Sequence, residues 1–263
     1  MVRGQALTQG ISKTVSWYSP DTLQQYSGLL WEMDPVEIKA TPRPPMPTLG
    51  TPTPERSVFA QEGVNEQEFK QWMKERDLSL IVVRNQTQRD RGDRQQPFNL
   101  RVPGGVQTTA TNGPVYDISH FQIFQGDLVR GYEHIGGNGR RVLAQHARMP
   151  FNPTHVGPQG SVKIAQDGSS ASFVPANRAL SWQTTNPNGE PVVRERLWVT
   201  FQPGEIRTCS GCHGENVQHQ GGGAASQQEA QALRDLLRHW KQEHQTGQRL
   251  RRNGSQPLVP KKG

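Results

Sequence analysis

Short apolar runs separated by glycine, proline and asparagine turns dominate residues 78–205. The run LSLIVV is rich in β-branched residues, which favours a buried strand, and VYDISHFQIF and RRVLAQ follow at strand length. Two further segments have hairpin sequences, with turns at Asp167-Gly168 and at the NPNG of residues 186–189. The alternating apolar positions after the second turn are Leu197, Val199 and Phe201. This pattern predicts a mainly β fold, with a small β-sandwich-like domain and a few short helices.

Two stretches have helical periodicity instead. The first predicts a short helix over residues 66–77, opened by a capping-box pattern at Asn65 and Glu68. The second follows a cap at Ser226 and Glu229 near the end of the chain. The apolar faces consist of Phe69, Trp72 and Met73 in the first helix and of Leu233, Leu237 and Trp240 in the second.

Composition divides the chain into four segments. Six prolines between residues 41 and 54 predict an extended strap, so residues 1–55 form an N-terminal segment that ends in this strap. Residues 56–205 form the β-rich domain with one short helix, residues 206–247 carry a cysteine motif and the last helix, and residues 248–263 form a basic tail.

Charge is concentrated at the end of the chain. The net charge is +7, and eight basic residues against two acidic ones lie from Leu233 onward, which leaves the rest close to neutral. A basic tail suits contact with an anionic partner or surface, whereas nucleic-acid reading needs basic residues over a folded face, so no nucleic acid is expected. No apolar run approaches the ~20 residues of a membrane helix, and no membrane span is expected.

The stretch RTCSGCHG at residues 207–214 holds the two cysteines of the chain. Cys-x-x-Cys-His is the attachment pattern of a single c-type haem. Cys209 and Cys212 would add to the two vinyl groups of the porphyrin, and His213 would be the proximal ligand of the haem iron. Two alternatives are open: a zinc site completed by His219 and another histidine, and a redox-active cysteine pair.

Attachment of haem c takes place after export, in the periplasm or outside the cell. The first ten residues lack the apolar core of a signal peptide. We therefore expect these residues to be the processed or C-terminal part of a longer exported chain.

Three stretches resemble the C-terminal haem-bearing region of the hydrazine synthase alpha-subunit-related family: RQQPFNLRVPGG, GSVKIAQDGSSASFVPANRALSWQTTNPNG and VVRERLWVTFQPGEIRTCSGCHG. The resemblance covers roughly residues 80–215 and is most specific from Trp198 to His213. It implies a β-rich domain whose bis-histidine c-type haem relays electrons. Hydrazine formation in that family uses a separate haem site on a β-propeller, and this sequence has neither a second motif nor propeller repeats, so that activity does not carry over.

The second iron ligand is expected to be a histidine, because no methionine follows His213. His120 is the preferred candidate, since it lies in a predicted strand on one face with Ile118, Gln122 and Phe124. Other candidates are His134 and His244, followed by His146 and His155, whereas His219 lies too close to His213 to reach the opposite face.

These features predict a monohaem c-type cytochrome domain that transfers electrons to redox partner proteins, within a larger exported multi-subunit assembly. One alternative is a haem enzyme with an open iron that binds a small nitrogen or oxygen ligand. Another is an interaction subunit that docks through the proline-rich strap and the basic tail.

Overall fold

The computed structural model describes residues 9–30, 50–89, 99–126, 144–212 and 218–252. The chain divides into two compact units, residues 1–49 and 50–263. Within the first unit, strands β1 (Ser12–Tyr18) and β2 (Leu23–Leu29) pair antiparallel as a hairpin.

The second unit contains three described helices, α1 (Thr53–Gln61), α2 (Glu66–Lys74) and α3 (Gln231–Arg252). None of the described helices combines the length and apolar character needed to cross a bilayer. Its described strands are β3 (Leu78–Val83), β4 (Leu100–Arg101), β5 (Gln107–Thr108), β6 (Tyr116–Asp117), β7 (His120–Gly126), β8 (Ala144–His146), β9 (Ser161–Lys163), β10 (Ser170–Pro175), β11 (Leu180–Thr185), β12 (Pro191–Arg194) and β13 (Ile206–Cys209).

These strands form three sheets in the described residues. The first has the order β10-β3-β13, with β10 antiparallel and β13 parallel to β3. The second has the order β12-β11-β7-β8, and β9 also pairs with β7. The third is the small sheet β5-β4-β6. A mainly β fold is therefore confirmed.

Strand β3 is the central element, because every one of its residues is buried. Alternation sends Leu78, Leu80 and Val82 into a core shared with the three helices. The intervening Ile81 and Val83 enter a second core, which they share with the β7 sheet. The small β10-β3-β13 sheet is consequently a middle layer between helices on one face and the larger sheet on the other.

The predicted hairpins fold in different ways. The second is confirmed: β11 and β12 pair antiparallel around the turn that Gly189 makes at a φ of 85°. At the first predicted hairpin, the chain reverses direction at Gly168, whose φ is also 85°. Its two strands do not pair with each other, because β9 pairs with β7 and β10 pairs with β3. Its two strands thus belong to opposing sheets.

Leu197 departs from the predicted alternation and is 70% exposed, whereas Phe201 is buried. The carboxylate of Glu195 accepts hydrogen bonds from the backbone N–H groups of Arg196 and Leu197, and β12 has already ended at Arg194. This turn directs Leu197 to solvent.

Both predicted helices are present. The side chain of Asn65 caps α2 by accepting from the N–H groups of Gln67 and Glu68, as the sequence pattern predicts. Helix α3 is different, because its first N–H groups donate to Asp167 and Ser169 of the distant turn after β9. Helix α1 is not predicted by the sequence pattern, and it begins inside the proline-rich stretch.

The buried faces of the two predicted helices contain the expected apolar residues. Those of α2 are Phe69 and Met73, with Trp72 partly buried against them, and those of α3 are Leu233, Leu236, Leu237 and Trp240.

Candidate functional site

Parallel pairing of β13 with β3 positions the cysteine motif. Cys209 is the last residue of β13 and lies opposite Val83, the last residue of β3. Alternation along β13 turns Cys209 towards the core between the two sheets, where it packs against the apolar cluster.

The turn that follows is held by the polar segment after β3. The backbone N–H groups of Arg84 and Asn85 donate to the carbonyls of Cys209 and Ser210, and the N–H of Cys212 donates to the carbonyl of Gln88 at 2.8 Å. A Cβ atom at Gly211 would lie 2.6 Å from that same carbonyl oxygen, so only glycine fits between the cysteines at this position.

Both cysteines are unbridged, and their environment favours the neutral thiol. Burial raises the pKa of Cys209, and burial raises the pKa of Cys212 to about 12. The Cys212 Sγ donates a hydrogen bond to the side-chain carbonyl of Gln86. A redox-active cysteine pair needs a thiolate, which this environment disfavours. A thioether sulfur is neutral as well, but at Cys212 it would lose the hydrogen bond to Gln86, because it has no S–H to donate.

Arg89 is a further buried group at the motif, 1% exposed and joined to Cys212 by an isolated parallel bridge. Gln220 binds this segment from the other side, since its side chain accepts from the N–H of Arg89 and donates to the carbonyl of Thr87. The sequence pattern does not point to these residues, because the polarity of a run such as RNQTQR predicts exposure to solvent. The one available signal is its position directly after an apolar strand.

A buried ion pair fixes the base of this segment. Arg84 donates to both carboxylate oxygens of Glu55 in α1, at 2.8 Å each, and both side chains are almost completely buried. The remaining guanidinium nitrogen donates to the carbonyl of Ser226 and to the side chain of Gln227. The end of β3 is thereby attached to α1 and to the segment before α3.

His120 lies away from this turn. In β7 the side chains of Phe121 and Ile123 face the core between the sheets, so His120 and Gln122 occupy the outer face. His120 is 7% exposed, and its Nε2 is 3.1 Å from the carbonyl of Val156, in the loop that covers this face. The structure therefore does not bring His120 to the described part of the cysteine motif.

The predicted grouping of Ile118 with His120 is wrong. Ile118 precedes β7, donates its N–H to Arg101 and packs in the core on the opposite side. The continuous strand expected over these residues is instead interrupted between β6 and β7, which changes the direction of the side chain at Ile118.

The other histidines are dispersed among the described elements. His146 contacts Phe124 with its ring tilted by 32°, and His244 stacks on Trp240 within helix α3. His155 lies beside His120, with ring centroids 5.6 Å apart. His219 lines the same small cavity as Ser210 and Gly211. His213 and His134 lie outside the described residues.

One feature of the site fits a covalently attached haem: Cys209 and Cys212 are unbridged, lie three positions apart and flank a turn held by backbone hydrogen bonds. The cavity between this turn, Gln88 and His219 encloses about 10 Å³. That is the space of a single water, so a porphyrin would not lie there. No cluster of three or more metal-binding side chains occurs among the described residues.

Comparison with known proteins adds a family relation. Residues 129–214 match the family model of the hydrazine synthase alpha subunit middle domain, which is about a third of the chain. Comparison with curated proteins finds none that matches. Among solved structures, Kuenenia stuttgartiensis hydrazine synthase is similar at 21% identity and a TM-score of 0.35, over 60% of this chain and 20% of that one. This chain thus spans about a fifth of the length of that protein. Through residues 129–214, the chain is related to the hydrazine synthase alpha family.

Proposed function

We propose that this chain is a monohaem c-type domain that relays electrons within a larger exported redox assembly. The observation that carries the proposal is the geometry of the motif. Cys209 ends the partly buried strand β13, the backbone N–H of Cys212 donates a hydrogen bond to the carbonyl of Gln88, and neither thiol forms a disulfide. The relation to the hydrazine synthase alpha family supports the redox assignment.

Cys209 and Cys212 would hold the haem through thioethers, and His213 would bind its iron. When bound, the haem supplies a one-electron couple. The contribution of the protein is rigidity, because backbone hydrogen bonds join the cysteine turn to the segment after β3. A fixed site keeps structural change small during electron transfer.

The second iron ligand of the proposed haem would be a histidine. The sequence favours His120, but its Nε2 bonds the Val156 carbonyl on the outer face of the sheet. As a ligand it would have to break this contact and leave the covering loop. A histidine ligand in place of methionine predicts a low reduction potential, which a potentiometric titration would measure.

Production in an exporting host with c-type haem maturation tests the attachment. The protein should keep haem on a denaturing gel, and its pyridine haemochrome spectrum should be that of two thioethers. Cys209→Ser with Cys212→Ser should abolish the covalent haem, whereas Gln218→Ala, an exposed change nearby, should retain it. Absence of covalent haem, in a host that loads another c-type cytochrome in parallel, would refute the proposal.

Carbon monoxide tests the electron-relay role separately. A six-coordinate iron should leave the reduced spectrum unchanged at low CO concentration. Ready CO binding to a protein with covalent haem would instead favour an open iron that binds small ligands.

A further inference from the structure

A second site lies at the opposite end of β3 from the cysteine turn. A cavity of about 490 Å³ opens where the end of α2, the start of β3 and the ends of β7 and β10 meet. This volume is within the range of small-molecule sites. Its lining includes Arg76, Asp77, Gln125, Arg148 and Arg178.

The cavity carries more positive than negative charge, with three arginines and one carboxylate. Among the described residues, no carboxylate forms an ion pair with Arg148 or Arg178. Arg76 is held in place, since its guanidinium donates to the carbonyl of Trp72 at 3.0 Å and lies over the indole ring at 4.8 Å. Two guanidinium groups therefore remain available beside a third of fixed position.

Gln125 adds a donor on a rigid strand. It is 9% exposed, and its side-chain oxygen accepts the N–H of Arg148 at 3.2 Å. Its oxygen is therefore engaged, whereas its amide nitrogen forms no hydrogen bond with any described residue. An amide nitrogen with an unused donor beside two arginines can add a hydrogen bond to an anionic oxygen ligand.

Two residues of the lining have backbone conformations of the left-handed region. Asp77 has a φ of 51° and Asn177 a φ of 55°. Both are held by main-chain bonds, from the N–H of Ala176 to the Asp77 carbonyl and from the N–H of Asn177 to the Phe201 carbonyl. Asp and Asn are among the residues other than glycine that adopt this conformation most readily, and here they set the direction of the turn that carries Arg178.

We propose that this cavity binds a small polyanion, a ligand with two or more phosphate or carboxylate groups. The planar guanidinium fork matches these groups, and two available forks, those of Arg148 and Arg178, favour a ligand with several anionic groups over a single phosphate. Arg76 adds positive charge beside them, although its guanidinium already contacts the Trp72 carbonyl and the Glu75 carboxylate. The site is separate from the haem motif, because the length of β3, about 17 Å at 3.3 Å per residue, lies between them. Binding here therefore does not depend on haem attachment.

Calorimetric titration with pyrophosphate, citrate and inorganic phosphate at low salt tests this site. We expect pyrophosphate to bind more tightly than inorganic phosphate. Arg148→Gln and Arg178→Gln should each weaken pyrophosphate binding at least tenfold, because each removes a charge-assisted pair of hydrogen bonds. Arg56→Gln, which removes the same charge from the exposed face of α1, should change the affinity less than twofold.

Thermal melting of each variant ensures that the comparison is made on folded protein, and Arg178→Lys provides a second test. It keeps the charge but loses the fork, so binding should be weaker than in the parent and stronger than in Arg178→Gln. The proposal is overturned if the Arg148 and Arg56 variants bind alike, if pyrophosphate does not bind, or if an acidic peptide binds and the small anions do not.

Discussion

Replacement of Glu55 by alanine would remove the carboxylate that faces Arg84 in the interior. The exposed fractions of the two side chains are 0% and 6%, and two hydrogen bonds of 2.8 Å join them. Without the carboxylate, the guanidinium keeps its bonds to Ser226 and Gln227 but has no neutralising charge. An uncompensated buried charge is costly, because neither water nor a counter-ion solvates it.

The expected loss is about 3–5 kcal/mol of the free energy of unfolding, the typical cost of removing one partner of a buried pair. Replacing both partners, as in Glu55→Leu with Arg84→Met, should cost less than Glu55→Ala alone, because no charge is left in the interior. A surface pair provides the matched control. Arg101 and Asp117 are partly exposed, so Asp117→Asn should cost about 0–1 kcal/mol.

Urea denaturation followed by tryptophan fluorescence measures all three variants. A loss below about 1 kcal/mol for Glu55→Ala would show that water reaches Arg84 and that the pair resembles a surface ion pair. A double variant as unstable as the single one would show that the loss comes from packing and not from charge. Either result would refute the reasoning.

Three further changes have defined outcomes. Burial lowers the pKa of His120 below its ordinary value of 6.5. As the pH falls, the unfolded chain therefore binds a proton at His120 before the folded chain does, and the free energy of unfolding should decrease below a pH of about 6.5. His120→Gln should reduce this pH dependence, which urea titrations at several pH values would measure. In the described position of His120, the same variant should leave the spin state of an attached haem unchanged. Conversion to high spin would identify His120 as the second iron ligand. Gly211→Ala places a methyl group against the Gln88 carbonyl, so the free energy of unfolding measured in urea should fall by about 1–3 kcal/mol. The yield of covalent haem should fall as well, whereas unchanged stability would mean that the turn adapts. Asp167→Ala removes an acceptor for the N–H of Gln231 and should lower stability by about 1 kcal/mol; no change in the urea midpoint would show that the cap is dispensable.

Local sequence patterns predict much of the secondary structure. The apolar alternation of β3 and the cap at Asn65 each depend on neighbouring residues, so the sequence indicates them directly. Helix α3 is also predicted, but its actual cap comes from Asp167 and Ser169, which are more than sixty residues away. Tertiary caps leave no local pattern.

The sequence predicts the cysteines of the candidate site but not the residues that surround them. The spacing of Cys209 and Cys212 is a local signal. The buried Arg89 and Gln86 resemble surface residues in the sequence, because their burial depends on partners more than a hundred residues away. His120 illustrates the converse problem, since a break in a strand changes which side chains share a face.

The parallel pairing of β3 and β13 has a consequence for the order of events during folding. The Cys212 thiol and its Gln86 partner are 126 residues apart, so this contact closes one of the longer loops of the chain. Long-range strand pairing is slow, because the entropy of loop closure is lost before the contacts form. Until that closure both thiols are open to solvent, and afterwards Cys212 is buried and Cys209 is partly buried. Covalent modification of the cysteines is consequently in kinetic competition with folding, and slower closure gives a modifying enzyme a longer period of access to its substrate.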